Sequence, residues 1–395
     1  MSSILIVTAL YPESANISRL DQTYAIHNLV KYWKNDILIV VKPVRVRIRN
    51  LAKWPRLCSS DIDGIHVLAI PFFQIPFFDK PFLFFFLLSL KRTLKYFKFM
   101  PEVIISHYDL SHIIASKVKK YFDIPHVAVV HFTDLKRILE KKSIGKKIRR
   151  ALFYSDRICF RSAQLKKRFV ELMGDKVNGR TMSIIASGIE KTEILSRERF
   201  HEKITDRNFQ IITVASLKKR KNISNVIDAL ATMRDLPWTY QIIGNGSECA
   251  KLESHIHAYD LTDRISLTGL LDHAEVMRRM ESSEIFILPS EGETFGLVYL
   301  EAMAKGCVVI ALKNDGVDGV IIDGINGFLC DTSSKQDIST ALRRVFSVDN
   351  RKLSELLDAT YNTICAYSET DRSSIYRSVI QDVMNKVENN NDNNK

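Results

Sequence analysis

The sequence predicts an α/β protein of two doubly wound, Rossmann-like domains facing each other across a cleft. Three observations lead there. A chain of 395 residues is longer than one ordinary core supports, so two domains of somewhat under 200 residues are expected. Short Ile- and Val-rich runs alternate with amphipathic stretches in both halves, and the pattern restarts near residue 209 after the polar stretch 191–208.

In the first half the strand candidates are 4–8, 37–41, 65–70, 103–106, 126–130, 157–160 and 182–185. In the second they are 209–216, 238–243, 265–268, 285–289 and 308–311. Helix-period segments fall between them, at 20–34, 111–122, 223–233, 274–280 and 297–305. Apolar strands without polar alternation, each followed by a helix, indicate parallel sheets covered on both faces. The expected division is a first Rossmann-like domain at 1–190, a linker at 191–208 and a second Rossmann-like domain at 209–366. A C-terminal helix at 367–388 packs back toward the first domain, and the Asn-rich tail 389–395 is disordered.

Composition narrows the class. Hydrophobic residues make up 46% and charged residues 26%, the balance of a soluble globular protein. The six cysteines are scattered, with no C-x-x-C pair, which argues against a disulfide framework or a zinc site and suits a reducing cytosol. The opening residues Met1 to Val7 lack a basic leader and reach Tyr11-Pro12 at once, so they read as a first strand rather than a signal peptide. The longest apolar run, 82–88, is far short of a membrane span. The net charge of +12 is uneven: residues 1–200 carry 35 Lys+Arg against 17 Asp+Glu, a net of +18, and the remainder carries 22 against 28, a net of −6. An anionic partner for the first half is implied, either nucleic acid or acidic lipid.

The segment 289–306 carries the chemistry. A buried strand ends at Pro289, a polar loop follows, and a helix begins near Gly296. Ligands of open α/β sheets sit beyond the carboxyl ends of strands, and a helix N-terminus there suits a diphosphate. Glu293 precedes the helix and Glu301 lies within it, roughly 7 Å further along the axis. Two carboxylates so staggered can accept hydroxyls on either side of a diphosphate, the sugar on one side and the ribose on the other. Alternatively, both are solvated helix-start glutamates.

With its flanking Pro289-Ser290, Phe295-Gly296 and Leu300-Glu301-Ala302-Met303-Ala304 elements, the segment resembles the E-x7-E signature of retaining GT-B glycosyltransferases of family 4. The resemblance implies that Glu293 holds donor-sugar hydroxyls, that backbone N–H groups of Phe295, Gly296 and Leu297 meet sugar and phosphate, and that Glu301 binds the ribose. The loop 214–222 resembles the family's diphosphate-neutralising loop: Lys221 falls on its lysine, and Ala215-Ser216 stands where Gly-Arg is usual, so that Ser216 takes a donor-binding position while the arginine's phosphate contact is either missing or supplied by Lys218, Lys219 or Arg220. Val130-His131-Phe132-Thr133-Asp134 resembles the H-G-x-D segment that brings a histidine to the transferred sugar, with Phe132 replacing the glycine. His131, Lys221 and Glu293 are thus the implied catalytic set. Asn245 between Gly244 and Gly246, Gly316, and Asn326-Gly327 match the family's turn and glycine positions. The implied donor is a nucleoside-diphosphate hexose and the implied acceptor lipid-linked or polysaccharide, in bacterial surface-polysaccharide assembly; neither cofactor nor metal is expected. Asp61-Ile62-Asp63, a D-x-D in a turn, is read as incidental.

Residues 72–100 hold Phe72, Phe73, Phe77, Phe78, Phe82, Phe84, Phe85 and Phe86, then Lys91, Arg92, Lys95 and Lys98 at near-helical spacing. They read either as an interfacial segment on anionic membrane or as core phenylalanines beside a solvated basic face. A membrane contact places the protein in the cytoplasm, peripheral to the inner face of the cytoplasmic membrane. No nucleic-acid-binding motif accompanies the charge, so nucleic acid is not expected. Two rival functions stay open: a nucleotide-sugar epimerase of the same architecture, and a non-catalytic sugar- or nucleic-acid-binding protein.

Overall fold

The computed structural model describes residues 1–12, 24–46, 58–73, 79–140, 142–203 and 209–392. Two compact units divide the chain: residues 1–161, 168–186 and 372–395 form the first, and residues 162–167 and 187–371 the second.

The first unit contains β1 (Ser3–Thr8), α1 (His27–Val30), β2 (Ile37–Val46), β3 (Cys58–Ile62), β4 (Ile65–Phe73), α2 (Asp79–Tyr96), β5 (Val103–His107), α3 (Asp109–Phe122), β6 (His126–Val130), α4 (Phe132–Leu139), α5 (Ser143–Tyr154), β7 (Arg157–Phe160), most of α6 (Ala163–Met173), and β8 (Met182–Ile184). Its eight-stranded sheet runs β3-β4-β2-β1-β5-β6-β7-β8, parallel except for the β3–β4 pair. The strands are hydrophobic throughout because both faces are covered. Successive side chains of β1 show this. Ile4 and Ile6 enter one core with Val40, Ile105 and Val127, whereas Leu5 and Val7 enter the other with Ile39, Ile104, Leu90 and Ile114.

The second unit contains α7 (Arg197–Glu202), β9 (Gln210–Val214), α8 (Ile223–Leu230), β10 (Thr239–Ile243), α9 (Cys249–Ala258), β11 (Ile265–Gly269), α10 (His273–Glu281), β12 (Ile285–Leu288), α11 (Leu297–Ala304), β13 (Val308–Leu312), β14 (Phe328–Cys330), α12 (Lys335–Phe346) and α13 (Asn350–Cys365). Its sheet, β11-β10-β9-β12-β13-β14, is wholly parallel, with the order reversing between β9 and β12. The last helix, α14 (Glu369–Asp392), belongs from Arg372 onward to the first unit, where Tyr376, Val379, Ile380, Val383 and Met384 join the Ile4/Ile6 core.

Several elements differ from the sequence reading. The units divide after Ala186 rather than Glu190. Within the expected linker 191–208, α7 forms behind a Ser196 cap and buries Phe200 against the Tyr361 ring, one apolar anchor hidden among charged neighbours. Residues 204–208 lie outside the described residues. Helix α14 continues to Asp392, into the Asn-rich stretch expected to be disordered, because extending a formed helix adds one bond per residue fixed; residues 393–395 lie outside the described ones. Of the expected helix 20–34, residues 20–23 also lie outside, and α1 spans four residues.

Strand β3 was not expected. It pairs antiparallel with β4 through a two-residue turn at Asp63-Gly64, both with positive φ (53° and 79°). The Asp61 carboxylate accepts the Gly64 N–H at 2.9 Å, and Asp63 meets His27 Nε2 at 2.9 Å. Both D-x-D carboxylates thus hold local structure.

Phe86 is 2% exposed and packs with Leu90 and Leu94 into the first unit's core. Lys91, Arg92, Lys95 and Lys98 are exposed. Phe77 and Phe78, and the side chains of Phe72, Phe73, Phe82, Phe84 and Phe85, lie outside the described residues. Among the described residues, no helix is long and apolar enough to cross a membrane.

Candidate active site

The loops after β9 and β12 leave the second sheet on either side of the point where its strand order reverses, which is where open α/β sheets bind ligands. Backbone and side chains join them. The Glu291 N–H donates to the Arg220 carbonyl at 2.9 Å, and Asn222, left-handed at φ 54°, donates through Nδ2 to the Pro289 carbonyl at 2.9 Å.

This joining brings Lys221 and Glu293 together. Glu293 Oε1 accepts from Lys221 Nζ at 2.5 Å, from Ser290 Oγ at 2.7 Å and from Arg220 Nη1 at 2.8 Å. Burial alone would raise the Glu293 pKa. The charges of Lys221 and Arg220, with hydrogen bonds from Lys221 and Ser290, outweigh it and hold the carboxyl at about 2. Burial lowers the Lys221 pKa, against the pull of Glu293. The short contact to an ionised carboxylate is that of a charged pair.

A second carboxylate shapes the loop beneath. Asp315, 3% exposed, accepts the N–H groups of Gly292 (2.7 Å), Glu293 (2.8 Å) and Gly316 (2.7 Å). Gly316 itself packs on the loop: a Cβ there would come within 2.8 Å of the Glu293 carbonyl oxygen and 2.9 Å of the Phe295 Cα. The turn into α11 needs Gly296, whose φ is 89° and whose Cβ would strike the Tyr299 ring at 2.5 Å.

Helix α11 therefore starts without a side-chain cap, and the N–H groups of Leu297 and Val298 donate to no backbone carbonyl among the described residues. Unpaired N–H groups at a helix start suit an anion. Further along α11, the Glu301 carboxylate makes no hydrogen bond among the described residues. Burial raises its pKa; His273 opposes the shift and Glu193 adds to it. Glu193 is held by Lys305 at 2.9 Å.

Of the donor set read from sequence, Lys221 and Glu293 are in direct contact, Gly296 and Leu297 form the start of α11, and Glu301 lies one turn further along it. The Phe295 side chain is buried and stacks on Tyr367. Ser216 is exposed in the loop after β9 and makes no hydrogen bond to these residues among the described ones.

His131 lies in the first unit, at the start of α4. Its N–H donates to Asp134 Oδ2 at 2.7 Å, one half of a capping box, which accounts for the aspartate three residues on. The ring, 4% exposed, stacks on Tyr108 with centroids 3.6 Å apart. Its Nε2 lies 3.2 Å from His107 Nδ1, and His107 Nε2 lies 3.2 Å from the Tyr376 hydroxyl of α14. Burial first, then the electrostatic influence of His107, Arg161 and His112, lowers the His131 pKa well below the usual histidine value, which favours the neutral imidazole.

Residues 196–360 match the family model described as Glycosyl transferases group 1, and residues 43–193 match that of Glycosyltransferase Family 4. The chain belongs to this family of glycosyltransferases. Among its relatives is an uncharacterized glycosyltransferase, MJ1178 of Methanocaldococcus jannaschii, 27% identical over 65% of this chain and 68% of that one. The amylovoran biosynthesis glycosyltransferase AmsK of Erwinia amylovora is 27% identical over 62% of each chain. The match thus spans about three fifths to two thirds of these relatives. Anabaena Alr3699/HepE, solved in complex with UDP, shares the fold with a TM-score of 0.72 at 17% identity, over 97% of this chain and 100% of that one.

Within this glycosyltransferase, sequence reasoning missed Asp315, Asn222 and the His107–Tyr108–Tyr376 surround of His131. Asp315 carried one signal, an Asp-Gly turn just after a buried strand. Asn222 meets Pro289 across 67 residues, His107 meets His131 across 24 and Tyr376 across 269, separations that no local spacing encodes.

Proposed function

We propose that this protein is a retaining, metal-independent hexosyltransferase. It moves a hexose-type sugar from a nucleoside-diphosphate sugar to a lipid-linked or polysaccharide acceptor in bacterial surface-polysaccharide assembly. The observation that carries the reading is the convergence of Lys221, Arg220 and Ser290 on Glu293 beside the uncapped start of α11, with the unpartnered Glu301 further along the same helix.

The arrangement answers the charge problem of the reaction. As the bond between the anomeric carbon and the diphosphate breaks, negative charge grows on the phosphate oxygens. Lys221, Arg220 and the free N–H groups of α11 supply fixed positive charge there, with no reorganisation at the moment of reaction. When donor binds, before the bond breaks, Glu293 exchanges part of its contact with the two cations for hydroxyls of the donor sugar, and Glu301 accepts from the ribose. Front-face attack by the acceptor hydroxyl, with retention, is the reaction course we favour, and His131 contacts the transferred sugar. Those two assignments and the contact of Ser216 with donor rest on the family resemblance. The name of AmsK supports a polysaccharide product, and the UDP complex of HepE supports a uridine donor. The exposed Lys91, Arg92, Lys95 and Lys98 support a peripheral position on the anionic inner face of the cytoplasmic membrane.

The test is turnover of UDP-glucose and other nucleotide-sugars with and without acceptor. Lys221→Ala and Glu293→Gln are each expected to lower kcat/KM by about 100-fold or more, the scale of losing one preorganised charge contact. Variants within a few-fold of wild type would refute the site. Conversion of the donor without any acceptor would favour an epimerase.

A further inference from the structure

At the N-terminal edge of β6, β7 and β8, the end of these strands opposite His131, the first unit holds a cavity of about 480 Å³. Four cationic side chains line it, Lys119, Arg157, Arg180 and Lys386, against one carboxylate, Asp156. They come from four separate places: the end of α3, the start of β7, the turn before β8, and α14.

The single acid is already taken. Both oxygens of Asp156 accept Lys119 Nζ at 2.6 Å, and Oδ2 also accepts the His126 N–H at 2.7 Å. Arg157, Arg180 and Lys386 form no ion pair among the described residues. Arg157 is 8% exposed; its Nη1 donates to Ser183 Oγ at 2.9 Å, and its buried Nε meets no acceptor among the described residues. Arg180 lies over the Phe153 ring, 5.7 Å from its centroid, and neither it nor Lys386 forms an ion pair among the described residues.

Three like charges around one concavity repel one another, and a buried N–H without an acceptor is costly. A compact anion with several acceptor oxygens relieves both. Phosphate has that form, since its oxygens accept from guanidinium and ammonium donors arriving from different directions. The volume leaves room for a small polar body attached to the phosphate.

We propose that this cavity binds the phosphate group of a small phosphate ester, free or as a lipid headgroup, at a site separate from the sugar-donor crevice. The ring of Phe153 fixes the Arg180 guanidinium in place, and Arg157 Nε and Lys386 Nζ complete the set of donors.

The experiment is calorimetric titration of the full-length protein with glycerol 3-phosphate at low ionic strength, beside sedimentation with phosphatidylcholine vesicles with or without phosphatidic acid. The variant is Arg180→Glu/Lys386→Glu, whose side chains make no ion pair to lose; Lys386→Glu alone serves if the pair perturbs folding. Glycerol 3-phosphate binding is expected to weaken at least about tenfold in the variant, to fade with added salt, and to persist in Lys221→Ala. Binding only to phosphatidic acid vesicles, lost in the same variant, would identify the lipid headgroup as the source. The proposal is overturned if neither probe binds, if the variant binds both as wild type does, or if Lys221→Ala abolishes the binding.

Discussion

At the scale of single residues, Glu293 joins stability to chemistry. Its carboxyl is held at about 2 in the folded chain against an ordinary 4.5. A depressed acid contributes stability that is fully present above the unfolded pKa and is lost as pH falls through the folded value. Glu293→Gln is therefore expected to destabilise the second unit at pH 7 by on the order of 3 kcal/mol. That deficit shrinks as pH drops from about 5 toward 2, where wild type is losing the same charge. Urea unfolding at a series of pH values reads it; a deficit constant across that window would mean that the ion pair is not what the charge holds. The sequence made Lys221, Glu293 and Glu301 legible because each sits in a short stretch with a strand before it and a helix after it. It could not show that Arg220 and Lys221 share one oxygen of Glu293. That contact depends on two loops about 70 residues apart being joined by Asn222 and by the Glu291 N–H.

Among the elements, buried parallel strands were the most readable, since an unbroken Ile and Val run of five residues between polar stretches suits little besides a strand covered on both faces. The edge strand β3 was not readable: Cys-Ser-Ser-Asp-Ile has no apolar run, and its pairing rests on the Asp63-Gly64 turn. Helix α14 is the element with most at stake. Five of its side chains, from Tyr376 to Met384, are buried in the first unit's core, although they lie more than 180 residues beyond β8 in sequence. Full burial of such side chains is worth about 1.5–3 kcal/mol each, so together they rival the whole stability of an ordinary domain. Ile380→Ala is expected to cost about 2–5 kcal/mol in urea unfolding. A chain ending at Asp371 is expected to leave residues 1–186 open to proteolysis while residues 187–371 resist it. Resistance of both would show that the first unit closes without the helix.

The molecule as a whole is two folding units with opposite charge and separate tasks. The residues proposed to bind donor, Lys221, Glu293 and Glu301, all belong to the second, the half with the net negative balance, so its local cations act against their surroundings. The positive charge of the first half lies instead on its own surface, in α2 and around the cavity beneath β6 to β8. A nucleotide bound at the second unit must therefore stabilise that unit first. Ligand at 100 times its dissociation constant adds about 2.7 kcal/mol to the folded state that binds it and nothing to one that does not. Tryptophan positions allow the two to be followed apart: Trp238 is buried in the second unit and Trp33 in the first. UDP is expected to raise the unfolding temperature reported by wild-type fluorescence. It should leave the transition reported in a Trp238→Phe variant nearly where it was, and it should have no effect on Lys221→Ala. An equal upward shift in that variant, whose remaining tryptophans, Trp33 and Trp54, both fall in the first unit's stretch 1–161, would mean that nucleotide is held by the first unit as well, and the division of labour argued from charge would fail.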